Sequence, residues 1–296
     1  MNFGWFQGRR SSLRSELAPG YPLSRLWREE SSSTKFKAQS TKLKMRKMMH
    51  PLTYQILHFD SLPSTNLEAM KRAADGVSEG LVIVADEQTA GRGRLGRHWS
   101  SPKGAGLYFS IVLRPQVDAG TWPLITFAAA LAVHDALFRC CNLRTDIKWP
   151  NDIIVNGRKL CGILAETVES GARASIVLGI GVNLTATSFP PELRETATSI
   201  QSATDAVPNP EAILHAILEA FQSRYATLLQ DGGREEVIKE WSQNSSFAAG
   251  KQIRVKNGHE TIEGISRGVE RDGALRIETE AGDIRVVRAG DVTVKH

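Results

Sequence analysis

The feature that most limits the fold is Asn156-Gly157, set between two apolar runs rich in β-branched residues, Asp152–Val155 and residues 159–166. Asn-Gly adopts the left-handed conformations of a tight two-residue turn, so the flanking runs pair as an antiparallel hairpin. Further strands are expected at residues 54–59, Leu81–Ala85, 107–113 and 175–183, and helices at residues 122–141, 210–229 and 234–241. Ser64-Thr65-Asn66-Leu67-Glu68 has the form of a helix start: Thr65 with Glu68 fits a capping box, and Gly76 supplies the stop. Strands outnumber helices and hairpins join several of them, so residues 51–246 are expected to be α+β, a mixed β-sheet with helices packed on one face. From about residue 247 to 296 the pattern changes to short strands punctuated by Asn257-Gly258, Asp272-Gly273 and Ala281-Gly282, which predicts a small β-barrel.

Composition narrows the setting. The longest apolar stretch, residues 122–133, is too short to span a bilayer, which needs roughly 18 to 20 residues. Cys140, Cys141 and Cys161 lack the spacing of a disulfide framework or a zinc site, so a reducing, cytoplasmic compartment is expected. The formal net charge of +5 sits at the front: residues 1–50 carry 11 basic and 3 acidic side chains, a balance of +8, which leaves −3 for the remainder. This Ser-, Arg- and Lys-rich stretch has no sustained periodicity and reads as a disordered basic extension. It is a start assigned upstream of Met48 or Met49, a nonspecific basic tail, or an organelle transit peptide. It lacks the amphipathic helices of a helix-turn-helix, and no specific nucleic acid or membrane partner is expected.

Chemistry concentrates in four segments. Gly91-Arg92-Gly93-Arg94-Leu95-Gly96-Arg97 lets backbone N–H groups turn toward an anion while guanidinium groups grip its oxygens; the plainer reading is a solvated basic turn. It has neither the Gly-Lys-Ser/Thr of a Walker loop nor a dinucleotide glycine spacing. Lys148-Trp149-Pro150-Asn151-Asp152 places oxygen ligands at the lip of the hairpin. Asp152 either holds Mg²⁺ or closes a tight turn. Lys159 follows the hairpin turn, where an exposed strand lysine is the plain alternative. Gly179-Ile180-Gly181-Val182-Asn183 puts small residues where a ligand can approach the backbone, or where a bulge or close packing needs them.

Taken together, Ser64-Thr65-Asn66, the arginine-glycine loop with Trp99, Lys148 to Asp152, Lys159 to Glu166 and Gly179 to Asn183 resemble, in order and spacing, the biotin protein ligases. The resemblance extends through Gly264-Ile265-Ser266-Arg267-Gly268 and Asp272-Gly273-Ala274-Leu275 near the end. It implies a class II synthetase-like biotin/lipoate ligase fold with a C-terminal SH3-like barrel. It implies that biotin is bound by Ser64, Thr65, Asn66, Gln88, Arg92, Gly93, Arg94, Lys159, Gly162 and Gly181. ATP would be met by Arg94, Arg97, Trp99, Asn151, Asp152 and Asn183. Arg94, Arg97, Lys159 and Asp152 would carry the chemistry, with Mg²⁺ at Asp152. The implied reaction forms biotinyl-5′-AMP and passes biotin to a lysine of a biotin carboxyl carrier protein, in a ligase of the type without a DNA-binding domain. An exposed sheet edge can support a homodimer or pairing with the acceptor. The nearest rival is a lipoate ligase or octanoyl transferase; a more distant one is a DNA-binding repressor.

Overall fold

A computed structural model describes residues 52–170, 173–186, 189–258 and 260–295; the expectation of a disordered stretch over residues 1–50 lies outside them. Seven strands form the first sheet: β1 (Gln55–Phe59), β2 (Leu81–Ala85), β3 (Gly106–Leu113), β4 (Asp146–Lys148), β5 (Asp152–Val155), β6 (Arg158–Ser170) and β7 (Arg173–Asn183), in the order β1-β2-β3-β7-β6-β5-β4. β1 and β2 run parallel, and the other pairings are antiparallel, so the sheet is mixed. The predicted hairpin turn joins β5 to β6, with Asn156 and Gly157 both at positive φ.

The helices are α1 (Thr65–Ala74), α2 (Leu124–Cys141), α3 (Ile200–Thr204), α4 (Pro210–Leu228) and α5 (Gly233–Gln243). They cover both faces of the sheet, which corrects the expectation of one. The reason is visible in β2, whose five residues are all buried. Side chains alternate across a strand. Val82 and Val84 join the large core with α2 and α4, while Leu81 and Ile83 pack with Ala69 and Ala73 of α1 on the opposite face. A strand buried on both faces shows a continuous apolar run, and the missing alternation is what reports the second layer.

Helix α2 belongs to the first face. With the turn before it, it is long and apolar enough to cross a membrane by length and composition. Instead its apolar side chains, from Leu124 to Leu137, are buried against the sheet, α4 and α5, with Phe127 stacked on Trp241 at 4.4 Å between ring centroids.

The start of α1 departs from the capping box. Ser64 is the N-cap, Thr65 is already helical, and Glu68 pairs with Arg72 at 2.6 Å. The Thr65 hydroxyl is turned into the protein, 2.7 Å from Ser110. A buried tertiary partner has displaced the local cap.

The second sheet is antiparallel: β8 (Ala249–Asn257), β9 (Glu260–Val269), β10 (Leu275–Glu278), β11 (Ile284–Val287) and β12 (Asp291–Val294), in the order β11-β10-β9-β8-β12. Ile253, Val255, Leu275 and Ile277 continue the large core, and Trp149 Nε1 donates to Gly273 O at 2.9 Å. The second sheet thus rests on the first just behind Asn151 and Asp152. Sequence periodicity did not foresee β4, β12 or α3, each of five residues or fewer.

Candidate active site

Two adjacent rows of the first sheet build the floor of a cavity. In one row Asp152 on β5 pairs with Gly162 on β6, which pairs with Gly181 on β7. In the next row Leu164 pairs with Gly179, which pairs with Ser110 on β3. The glycines leave troughs that larger side chains fill. A Cβ at Gly179 would lie 2.1 Å from Asn66 Oδ1, and one at Gly181 would lie 2.6 Å from Trp99 Nε1. Asn66 from α1 therefore beds on one row, and Trp99 from the loop beds on the other.

The Gly179 end is lined by uncharged polar side chains, most of them buried, that hydrogen-bond to one another and to the Glu166 carboxylate. Thr65 donates its backbone N–H to Gln88 Oε1 at 2.8 Å, and Gln88 Nε2 donates to Ser101 Oγ at 2.8 Å. Ser110 Oγ lies 2.6 Å from Asn66 Oδ1, and Asn66 Nδ2 donates to Glu166 Oε2 at 2.8 Å. Ser64, Thr65, Asn66 and Ser110 are all buried.

The Gly162 end is ionic. Lys159 Nζ lies 2.6 Å from Asp152 Oδ1 and 5.3 Å from the centre of the Trp99 ring. Arg94 donates to Asn151 Oδ1 at 3.0 Å, and Arg97 pairs with Asp291 of β12. Arg92, between the two ends, pairs with Glu166 at 2.8 Å. Burial lowers the pKa of Arg94, while Asp152 and Asp291 raise it; the guanidinium stays charged. Burial also lowers the pKa of Lys148, which projects over the Phe247 ring at 6.0 Å. The loop reaches this end through Leu95 and Gly96, both at positive φ, a geometry Gly96 adopts without strain.

The cavity gathers Ser64, Thr65, Asn66, Gln88, Arg92, Gly93, Arg94, Arg97, Trp99, Asn151, Asp152, Lys159, Gly162 and Gly181 along its wall. Asn183 stands apart. It is buried and donates to Thr198 O at 3.0 Å and Lys159 O at 3.4 Å, so it holds the backbone that carries Lys159. The wall also includes His98, Phe109 and Asp291, which the sequence reading did not single out. Ser110 and Glu166 act behind it. Ser110 left a signal, one hydroxyl inside the apolar run of β3, where a buried polar group needs partners; Asp291 left none.

Among the described residues, no three His, Cys, Asp or Glu side chains converge as a metal cage. Asp152 and Asp291 are the carboxylates on the wall, and each is engaged by a cation. That set fits a divalent ion brought in on phosphate oxygens, which needs only one or two protein carboxylates.

Comparisons with known proteins agree with this geometry. Residues 58–183 match the Biotin/lipoate A/B protein ligase family, and residues 249–295 match the Biotin protein ligase C terminal domain. The chain is similar to the bifunctional ligase/repressor BirA of Bacillus subtilis, 35% identical over 240 residues that cover 80% of this chain and 73% of that protein. It is 38% identical over 237 residues to the biotin--[acetyl-CoA-carboxylase] ligase of Paracoccus denitrificans, covering 77% of this chain and 96% of that one. The solved structure of the biotin protein ligase from Aquifex aeolicus in complex with biotin and ATP superposes with a TM-score of 0.70 at 27% identity, over 81% of this chain and 98% of that chain. The chain belongs to the biotin protein ligase family.

Proposed function

We propose that this protein joins biotin to ATP as biotinyl-5′-adenylate, releasing pyrophosphate, and then transfers biotin to a lysine of the biotin carboxyl carrier domain of acetyl-CoA carboxylase. The observation that carries the reading is one cavity with two chemically distinct ends. The neutral end suits an uncharged polar ring, and the ionic end suits a carboxylate meeting a triphosphate. In this reading Ser64, Thr65, Asn66, Gln88 and Gly93 surround the biotin ring, Gly162 and Gly181 lie where its carboxylate meets the nucleotide, and Arg94, Arg97, Trp99, Asn151 and Asp152 face the nucleotide, with Asn183 holding the Lys159 strand. Arg92 sits at the junction. The solved relative from Leishmania major in complex with biotinyl-5-AMP, superposed with a TM-score of 0.56 at 25% identity, supports the adenylate as the species such a fold holds.

The chemistry follows from the residue types. A carboxylate is already ionised at neutral pH, so its attack on the α-phosphorus needs no general base. It needs two anions brought together in line, and Lys159, Arg94 and Arg97 supply the positive charge. Mg²⁺ would supply further charge neutralisation, held at Asp152 and by the nucleotide. Each of these cations has a protein partner: Asp152 for Lys159, Asn151 for Arg94 and Asp291 for Arg97. Substrate anions take over from those partners, and Lys159 releases Asp152 as it turns to the substrate carboxylate. After pyrophosphate has left, Asp152 accepts a proton from the acceptor lysine, which is mostly protonated at pH 7; the freed amine attacks the biotinyl carbonyl and AMP leaves. The loop from Gly91 to Arg97 closes over the mixed anhydride and keeps water from it.

The test is transfer itself. Incubated with biotin, ATP and Mg²⁺, an isolated carrier domain gains the mass of one biotinyl group, biotin less one water, at one lysine, and Arg94→Ala abolishes the gain. No gain with the unaltered protein would reject the reading.

The protein acts, in this reading, as a ligase without a repressor role, in the cytoplasm. Support comes from the sequence of residues 1–50, which has no amphipathic helical pattern, and from three cysteines without the spacing of a disulfide framework. DNA binding with a sequence preference that survives raised salt would overturn the first part. A homodimer through an open edge of the first sheet is proposed on the same footing, since β1 and β4 end its strand order.

A further inference from the structure

We propose that Ser110 and Glu166 are positioning residues that fix the direction of the protons at the neutral end, so that Thr65 and Gln88 present acceptor oxygens to the N–H groups of a cyclic urea. The inference rests on reading this end as the biotin end. Neither residue touches the ligand in it; each acts through a neighbour.

The argument is a proton count. Glu166 accepts from Arg92 Nη2 at 2.8 Å and from Asn66 Nδ2 at 2.8 Å. A carboxylate beside a guanidinium only accepts, so the Asn66 amide is fixed with its nitrogen toward Glu166 and its oxygen toward Ser110. Asn66 Nδ2 also reaches Leu164 O at 3.4 Å, which holds the same orientation. Ser110 Oγ lies 2.6 Å from Asn66 Oδ1, an oxygen that has no proton to give, so Ser110 spends its single proton there. Ser110 then has no proton for its 2.7 Å contact with Thr65; the Thr65 hydroxyl has two acceptors in reach, Ser110 Oγ at 2.7 Å and Gln88 Oε1 at 3.2 Å, and the shorter contact takes its proton.

The Thr65 hydroxyl proton then points down into the sheet, and its lone pairs are left for the cavity. Gln88 is fixed in the same sense, because its nitrogen is committed to Ser101 and its oxygen accepts from Thr65 N–H. Thr65 Oγ1 and Gln88 Oε1 lie 3.2 Å apart on the cavity wall. Two acceptor oxygens held that close together select an N–H donor. Gly179 makes the arrangement possible, since any side chain there would evict Asn66 from between β3, β6 and β7.

The experiment measures affinity of the full chain for biotin and for biotin methylated at a urea nitrogen, by calorimetry, with an ATP analogue titrated separately. Ser110→Ala frees the Thr65 proton to turn outward, so biotin binds about tenfold more weakly, the size of one neutral hydrogen bond, while ATP-analogue affinity stays within about twofold. The preference for biotin over its N-methyl derivative shrinks by a similar factor. Glu166→Gln lets the Asn66 amide flip and shrinks the same preference; a loss through Arg92 alone would weaken both ligands equally and leave the preference intact. In a Thr65→Val background, Ser110→Ala adds less than about twofold, because its path runs through Thr65. An unchanged preference in both single variants, or effects of Ser110→Ala and Thr65→Val that add, would overturn the proposal while leaving the biotin site standing. Unchanged biotin affinity in Thr65→Val would overturn the assignment of this end and the proposal with it. Where Ser110→Ala does not fold, Glu166→Gln decides.

Discussion

The two ends of the cavity are built by opposite means. At the Gly179 end Ser64, Thr65, Asn66 and Ser110 are buried, uncharged and locked to one another, with the Glu166 carboxylate fixing Asn66 from behind. At the Gly162 end the groups are charged and partly exposed: the side chains of Lys159 and Arg97 keep 35% and 63% of their surface in solvent, and both are paired with carboxylates that a substrate can replace. Buried hydrogen bonds fix a shape at the expense of adaptability, whereas exposed ion pairs are worth only about 0 to 1 kcal/mol and are readily exchanged. A rigid end suits recognition of one small ring. An exchangeable end suits two reactants and a leaving group that must come and go.

The largest expected effect lies at the ionic end. Lys159→Ala removes the cation nearest Asp152 and leaves that carboxylate facing the incoming phosphates; adenylate formation slows by about 10²-fold or more, read as biotin-dependent pyrophosphate exchange. A loss confined to biotin affinity would instead put Lys159 with the rigid end.

The glycine rows give a matched pair of tests two residues apart on β7. Gly179→Ala drives a methyl into Asn66, which three strands hold, so biotin affinity falls about tenfold or more while nucleotide affinity changes little. Gly181→Ala meets Trp99, a loop side chain that can swing aside; the loss falls on the nucleotide and is smaller, about threefold to tenfold. Equal effects on both ligands from either variant would mean that the two ends are one unit.

Salt separates them further. Raising ionic strength from 0.05 to about 0.5 M shortens the screening length severalfold and weakens ATP binding, with biotin binding nearly unchanged. The smallest effect belongs to Asp291→Ala, which frees Arg97 from the second sheet. Because the pair is exposed, ATP affinity changes by less than about fivefold, and the loop between Arg92 and Arg97 is cut faster by trypsin.

How much of this was legible in the sequence divides along similar lines. The hairpin at Asn156-Gly157, the strands on either side of it and the arginine-glycine loop announce themselves because their residues act locally, through turn conformation, apolar runs and charge. The second helical layer left its mark in the unbroken apolar run Leu81–Ala85, since a strand covered on one face alone alternates, but the expectation of helices on one face passes over it. Thr65 was misread as part of a cap because its partner, Ser110, lies 45 positions away. Asp291 was invisible for the same reason: its ion pair spans 194 positions, and only the packing of the second sheet brings it to the cavity. Asn183 was legible as part of a motif, yet its place behind Lys159 needed coordinates. The residues that line the cavity are thus more legible in sequence than the residues that hold them.

The account stands on one claim, that biotin and ATP meet in this cavity. Its most direct test is the exchange of labelled pyrophosphate into ATP by the purified protein with Mg²⁺, offering biotin, lipoate or octanoate in turn. The account predicts exchange with biotin alone; exchange with lipoate or octanoate and none with biotin would contradict it.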